Sequence, residues 1–176
     1  MIIHVVRHAE AIDRSSDLPD DHRYLTPRGR KRFRKIAKVM RKGGITPDLI
    51  LTSPLVRAVQ TADILAEALR YRGELQVAQQ LAPGFRPQAL DELLEQFPQV
   101  AEIALVGHEP DLGALAQALF AVDAACSLPK GAVVSFRRTS GEKGAASFVQ
   151  LVTGGGRIIT SPGKALRRLQ SETNSK

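Results

Sequence analysis

Three short apolar runs constrain this chain most, because each ends in polar residues and gives way to a helix-starting signal. Residues 2–6 are apolar apart from His4 and run into Arg7-His8. Asp48–Thr52 runs into Ser53-Pro54, and Ile103–Val106 runs into Gly107-His108. Short apolar runs bounded by charge or turn residues read as strands buried on both faces. Strands of that kind need helices over them, so the pattern points to alternating strand and helix around a buried sheet.

The helices are legible too. After a polar loop from Ala9 to Tyr24 comes Leu25-Thr26-Pro27-Arg28-Gly29, where Thr26 suits an N-cap and Pro27 the first helical position. Phe33, Ile36, Ala37 and Met40 recur at helical spacing, and Gly43-Gly44 end the run. Ser53-Pro54 repeats the cap signal and predicts a helix through Leu69. Leu75–Ala78 reads as a weak strand, Gln88–Phe97 and Leu112–Phe120 as helices, and Ala132–Arg137 and Ser147–Thr153 as late strands. A turn around Ser140 to Gly144 should join the last two, and Gly154-Gly155-Gly156 reads as a flexible turn. The expected fold is a single-domain, three-layer α/β/α sandwich with a mostly parallel central sheet over residues 1–153. Residues 154–176, Gly-rich and then basic and polar, are expected to be a partly disordered tail.

Composition narrows the class. The 176 residues, 43% hydrophobic and 24% charged, suit one globular domain rather than a disordered chain. A lone Cys126 excludes an internal disulfide and fits a reducing compartment, and no leader or membrane span is evident, so a cytoplasmic protein is expected. The formal charge of +7 is unevenly placed: Tyr24 to Lys42 holds nine basic residues and no acidic one. That run, helix 28–42, is expected to dock an acidic phosphoprotein substrate. Nucleic acid is a weaker reading and a solvated face the bland one.

In open α/β sheets ligands bind at the carboxyl ends of the strands. The three runs deliver Arg7, His8, Arg57 and His108 to one sheet edge beside two helix N-termini, which makes an anion site. Guanidinium forks match phosphoryl oxygens, and a neutral imidazole is a nucleophile near pH 7 and a tolerable leaving group afterwards. A second histidine adds a donor and, if protonated, a charge. His4 reads instead as a satisfied core histidine and His22 as solvated. Ser53 and Thr26 read as caps, and Glu10 as a loop-ordering residue.

The stretches Val6-Arg7-His8-Ala9-Glu10-Ala11, Leu25-Thr26-Pro27-Arg28-Gly29, Ser53-Pro54-Leu55-Val56-Arg57-Ala58-Val59-Gln60-Thr61-Ala62 and Val106-Gly107-His108-Glu109-Pro110 resemble, in order, those of the histidine phosphatase superfamily. Short length and the Gly-His-Glu-Pro turn resemble its compact bacterial branch, the SixA-type phosphohistidine phosphatases. The resemblance spans residues 1 to about 153 and implies a phosphoglycerate mutase-like fold. It implies His8 as the phosphorylated nucleophile, Arg7, Arg57 and His108 as the phosphate pocket, and no metal or cofactor. Asp20 falls where that branch carries an acidic residue near the pocket, with Asp13, Asp17 and Asp21 as competitors.

Two departures stand out. Ala9 replaces the glycine usual after the nucleophile. Leu81-Ala82-Pro83-Gly84-Phe85 fills the region where larger members carry a glutamate acid. Without that acid, a departing imidazole is easier to expel than an alkoxide. The expected function is therefore dephosphorylation of phosphohistidine in proteins. The alternatives are a phosphatase of small phosphorylated metabolites and a non-catalytic phosphate-binding module.

Overall fold

The computed structural model describes residues 1–139 and 144–171. Among them, β1 (Ile2–Arg7), α1 (Pro27–Lys42), β2 (Leu49–Thr52), α2 (Val56–Leu69), β3 (Leu75–Val77), α3 (Leu90–Glu95), β4 (Glu102–Gly107), α4 (Asp111–Phe120), β5 (Val133–Arg137), β6 (Ser147–Val152), β7 (Ile158–Ile159) and α5 (Pro162–Ser171) follow one another. The strands form one sheet in the order β3-β2-β4-β1-β5-β6-β7. The β3-β2-β4-β1 half is parallel, whereas β5, β6 and β7 join by antiparallel pairing, so the sheet is mixed. Four other strands share the direction of β1, β6 among them because it is antiparallel to a strand that is itself antiparallel to β1.

Two apolar layers sandwich the sheet. Phe33, Ile36, Ala37 and Met40 of α1 and Ala58, Ala62, Ile64 and Leu65 of α2 bury against one face. Residues of α3, α4 and α5 cover the other, packed on Ile3, Val5, Leu105 and Phe136. The winding therefore changes faces between α2 and α3, and β4 returns to sit between β2 and β1. This switch point opens a crevice at the strand ends.

Local chemistry explains most boundaries. Thr26 Oγ1 accepts from Gly29 N at 2.9 Å, capping α1 as its sequence predicts. Gly29 has no alternative, since a Cβ there would lie 2.1 Å from the Glu10 carbonyl oxygen. His4 is a core histidine, paired with Ser135 Oγ at 2.8 Å and Glu102 Oε1 at 2.9 Å. The expected 88–97 helix is shorter: a 3-10 turn at Pro87–Ala89 leads into α3.

Residues 154–171 of the segment expected to be a partly disordered tail are folded. Gly154 to Gly156 form a hairpin turn, closed by Gly156 N donating to Thr153 O at 2.8 Å, and β7 pairs with β6 beyond it. The following α5 seats Ala165 and Leu169 in the core, both fully buried, so residues 162–171 pack onto the domain. The two residues stand four apart, one turn of helix, which is enough for a stripe once tertiary burial supports it. The expected turn at 140–144 falls largely outside the described residues.

Candidate active site

The register of β1 on β4 brings the two histidines together. Arg7 lies opposite Gly107, so the next residue of each strand, His8 and His108, emerges at the same level. His8 N donates to Gly107 O at 3.0 Å, and the two rings stand 5.1 Å apart between centroids. Ser53, just past β2, joins them through its N–H to Val106 O at 2.9 Å. Arg57 follows in the first turn of α2 and is 4% exposed.

Each ring has a defined role for one nitrogen. His8 Nδ1 lies 2.7 Å from Ala9 O. A carbonyl oxygen only accepts, so Nδ1 carries the proton and Nε2 presents its lone pair. Ala9 permits this, since its backbone is not among the left-handed residues and alanine needs no positive φ there. Its N–H donates to Thr61 Oγ1 at 3.1 Å, and Thr61 in turn donates to Arg57 O at 2.6 Å.

Ser53 does not cap α2, contrary to the sequence reading: the N-cap position is Leu55. Ser53 Oγ accepts from Leu55 N at 3.3 Å and lies 2.7 Å from His108 Nε2; among the described residues its own buried hydrogen has no other acceptor, which assigns that hydrogen to Nε2. His108 Nδ1 is then the protonated atom, buried and without a hydrogen-bond partner among the described residues. It is the donor that remains for a ligand.

Burial pushes the His8 imidazole down to about 3, and the charges of His108, Arg57 and Arg7 add to this against the hydrogen bond to Ala9. Burial and then the Arg57 charge take His108 down to about 4. Both rings are therefore neutral at pH 7, so His108 contributes a donor to the unliganded pocket and no charge. The positive field comes from Arg7 and Arg57. Arg7 is aimed by its NH1, which donates to Leu128 O at 2.5 Å, while Glu109 Oε1 accepts from Leu128 N at 2.9 Å on the same segment.

Asp20 sits against Arg57 as the sequence reading places it. Arg57 NH2 donates to Asp20 Oδ2 at 2.9 Å and NH1 to Asp20 O at 2.5 Å. Arg23 and Arg14 each reach Oδ1 at 2.8 Å. The hydrogen bond from Arg23, joined by those from Arg14 and Arg57, holds the Asp20 carboxyl far below the usual carboxylate range. Such a group stays ionised and orients Arg57; it has no proton to give near pH 7. Asp13, Asp17 and Asp21 make no contact with the pocket arginines among the described residues. Sequence reasoning missed the roles of Ser53, Thr61, Arg14 and Arg23. Gln60 also escaped it, although its Oε1 accepts from Leu25 N at 2.8 Å and holds the far end of the 9–25 loop.

The profile of the histidine phosphatase superfamily (branch 1) matches residues 3–83. An uncharacterized protein of Picosynechococcus is 40% identical over 121 residues, which are 68% of this chain and 73% of that protein. The chain belongs to the histidine phosphatase superfamily. The mitochondrial serine/threonine-protein phosphatase Pgam5 of Drosophila grimshawi is 37% identical over 67 residues, 38% of this chain and 22% of that protein. The protein histidine phosphatase SixA, solved with tungstate, superimposes with a TM-score of 0.78 over 88% of this chain and 97% of its own. Its identity is 22%, so the likeness is one of fold. The superfamily's fold and the pocket support a phosphatase. No described helix is long and apolar enough to cross a membrane.

Proposed function

We propose that this superfamily member dephosphorylates phosphohistidine in proteins through a phosphoenzyme on His8, without a metal or organic cofactor. The observation that carries the proposal is the hydrogen bond from His8 Nδ1 to Ala9 O, which leaves Nε2 unprotonated within the field of Arg7 and Arg57. In the first step Nε2 bonds to phosphorus as the bond to the leaving group breaks. Arg7, Arg57 and the Nδ1–H of His108 share the charge on the phosphoryl oxygens. In the second, water attacks phosphorus and His8 leaves as a neutral imidazole.

The carboxylates around the strand ends favour an N–P substrate. Asp20 is ionised by three arginines, Glu109 holds Leu128 N, and Asp111 accepts from Gly84 N at 2.7 Å and Phe85 N at 3.2 Å. All three are committed to structure. An alkoxide leaving from a phosphate ester needs a proton donor in the site, whereas a phosphoimidazole protonated by solvent on its other ring nitrogen expels neutral imidazole, whose conjugate acid has a pKa near 6.5.

The test compares kcat/KM on a phosphohistidine protein, a phosphoserine peptide and a sugar phosphate, each with and without excess EDTA. The expected ranking puts phosphohistidine first by at least about tenfold, unaffected by the chelator. A higher value on the sugar phosphate would favour a metabolite phosphatase. A higher value on phosphoserine would favour the specificity named for Pgam5. Loss of activity on chelation, restored by a divalent ion, would overturn the metal-free route.

A further inference from the structure

Helix α1 carries charge that its own fold does not use. Its first turn has no acidic residue, although a helix N-terminus favours negative charge, and Arg28 and Arg30 stand there instead. Lys31, Lys35, Lys38 and Lys42 are spaced by four, three and four residues, so they share one line of the helix surface. That line lies opposite the buried Phe33, Ile36, Ala37 and Met40. Like charges at these spacings destabilise a helix. The four lysines are exposed and take no part in a hydrogen bond or ion pair among the described residues. The arginines on the flanks differ: Arg32 donates to Gly154 O at 2.7 Å and Arg34 lies 3.7 Å from Glu67.

The helix also starts at the pocket. Gly29 packs against the backbone of Glu10, two residues after His8, and Arg28 lies 3.9 Å from Glu10 Oε2. From Pro27 the axis leads away from the strand ends, so the lysine line begins about 6 Å beyond the rim and extends for about 16 Å. A body lying along it reaches the pocket at one end.

We propose that the Lys31-Lys35-Lys38-Lys42 line docks an acidic helix or ridge of the phosphorylated protein substrate. Where the partner's phosphoryl group goes rests on the function proposed above; the docking does not. Charge complementarity selects an anionic partner. No aromatic residue interrupts the line to stack on bases, and the apolar residues of α1 face the core rather than a lipid surface. Point charges on flexible stems steer and orient such a partner without deciding chemistry.

The test uses two helical peptides that share one histidine. One carries glutamates at the spacing of the lysines, the other glutamines. The unphosphorylated forms are titrated into the full-length protein by fluorescence anisotropy, and the phosphohistidine forms are assayed for turnover. The glutamate peptide should bind about tenfold tighter than its partner, and the preference should vanish near 0.5 M salt. K31E/K35E/K38E should invert the preference while leaving kcat/KM on p-nitrophenyl phosphate within about twofold. If that variant fails to fold, K31Q/K35Q/K38Q, which should abolish the preference, decides in the same titration. Equal binding of both peptides would overturn the proposal. So would a preference surviving in the variants, or tighter binding to single-stranded DNA or phosphatidylserine vesicles than to the glutamate peptide. Docking without phosphohistidine turnover would leave this proposal standing and count against the function.

Discussion

Replacing Ser53 by alanine removes one hydroxyl and with it two hydrogen bonds, the close one to His108 Nε2 and the longer one from Leu55 N. In the native protein Oγ accepts from Leu55 N and sits 2.7 Å from Nε2, so the serine hydrogen keeps that nitrogen unprotonated and the proton on Nδ1. Without it, Nε2 becomes a buried polar atom with no partner, at a cost of about 1–3 kcal/mol. The ring is then free to move its proton to Nε2, which turns a lone pair toward the phosphoryl oxygens. If the cost falls on the transition state, it is worth about 5- to 150-fold. Loss of one preorganised donor to a developing anion, about 10²–10³ in kcat, marks the upper bound. Ser53→Ala should therefore lower kcat/KM on p-nitrophenyl phosphate by about 10- to 100-fold. Inhibition by tungstate, a tetrahedral oxyanion like phosphate, should weaken by a similar factor. Thermal unfolding checks that the fold survives. A variant with native melting and kcat/KM within about threefold of wild type would show that the Ser53–His108 contact does not set the donor.

Four further outcomes follow from the structure. Because burial depresses His8 to about 3 and His108 to about 4, both rings stay neutral well below the ordinary imidazole range. After correction for substrate ionisation, kcat/KM should hold from pH 7 to about 5, and an acid limb near pH 6.5 would contradict it. The same shifts make these histidines favour the fold above pH 6.5, a contribution lost as pH falls toward their depressed values, so urea midpoints should drop over that interval. Asp20→Asn should cut kcat/KM by about tenfold on good and poor leaving groups alike; a loss confined to poor leaving groups would make Asp20 a proton donor. Leu169→Ala should cost about 2–5 kcal/mol in chemical denaturation, whereas a frayed tail would cost nothing.

Sequence alone located much of this protein, and its failures have physical causes. Arg7-His8 and Gly107-His108 were legible because polar and basic residues at the end of a buried strand mark the sheet edge where anions bind. Arg57 was legible because it falls in the first turn of the helix after β2. Their adjacency was not, since it depends on β4 entering between β2 and β1, a choice made by sheet packing rather than by any local signal. Ser53 was misread because Ser-Pro before an apolar helix looks the same whether the hydroxyl caps the helix or faces outward. The deciding partner, His108, lies 55 residues away. The C-terminal segment was misread for a related reason: Gly154-Gly155-Gly156 and the basic residues around Ala165 and Leu169 resemble a tail until the sheet face they cover is known. Asp20 was placed but not understood, since the three arginines that hold its carboxyl ionised come from positions 14, 23 and 57.

The central claim is that His8 carries the phosphoryl group, and trapping that intermediate tests it most directly. Brief incubation with a labelled phosphodonor, acid-free quenching and peptide mapping should place an acid-labile, base-stable phosphoryl group on His8. His8→Ala should abolish it, and His108→Ala should leave some label with slower turnover. Label that persists in His8→Ala, or that maps to another residue in the wild type, would contradict the account.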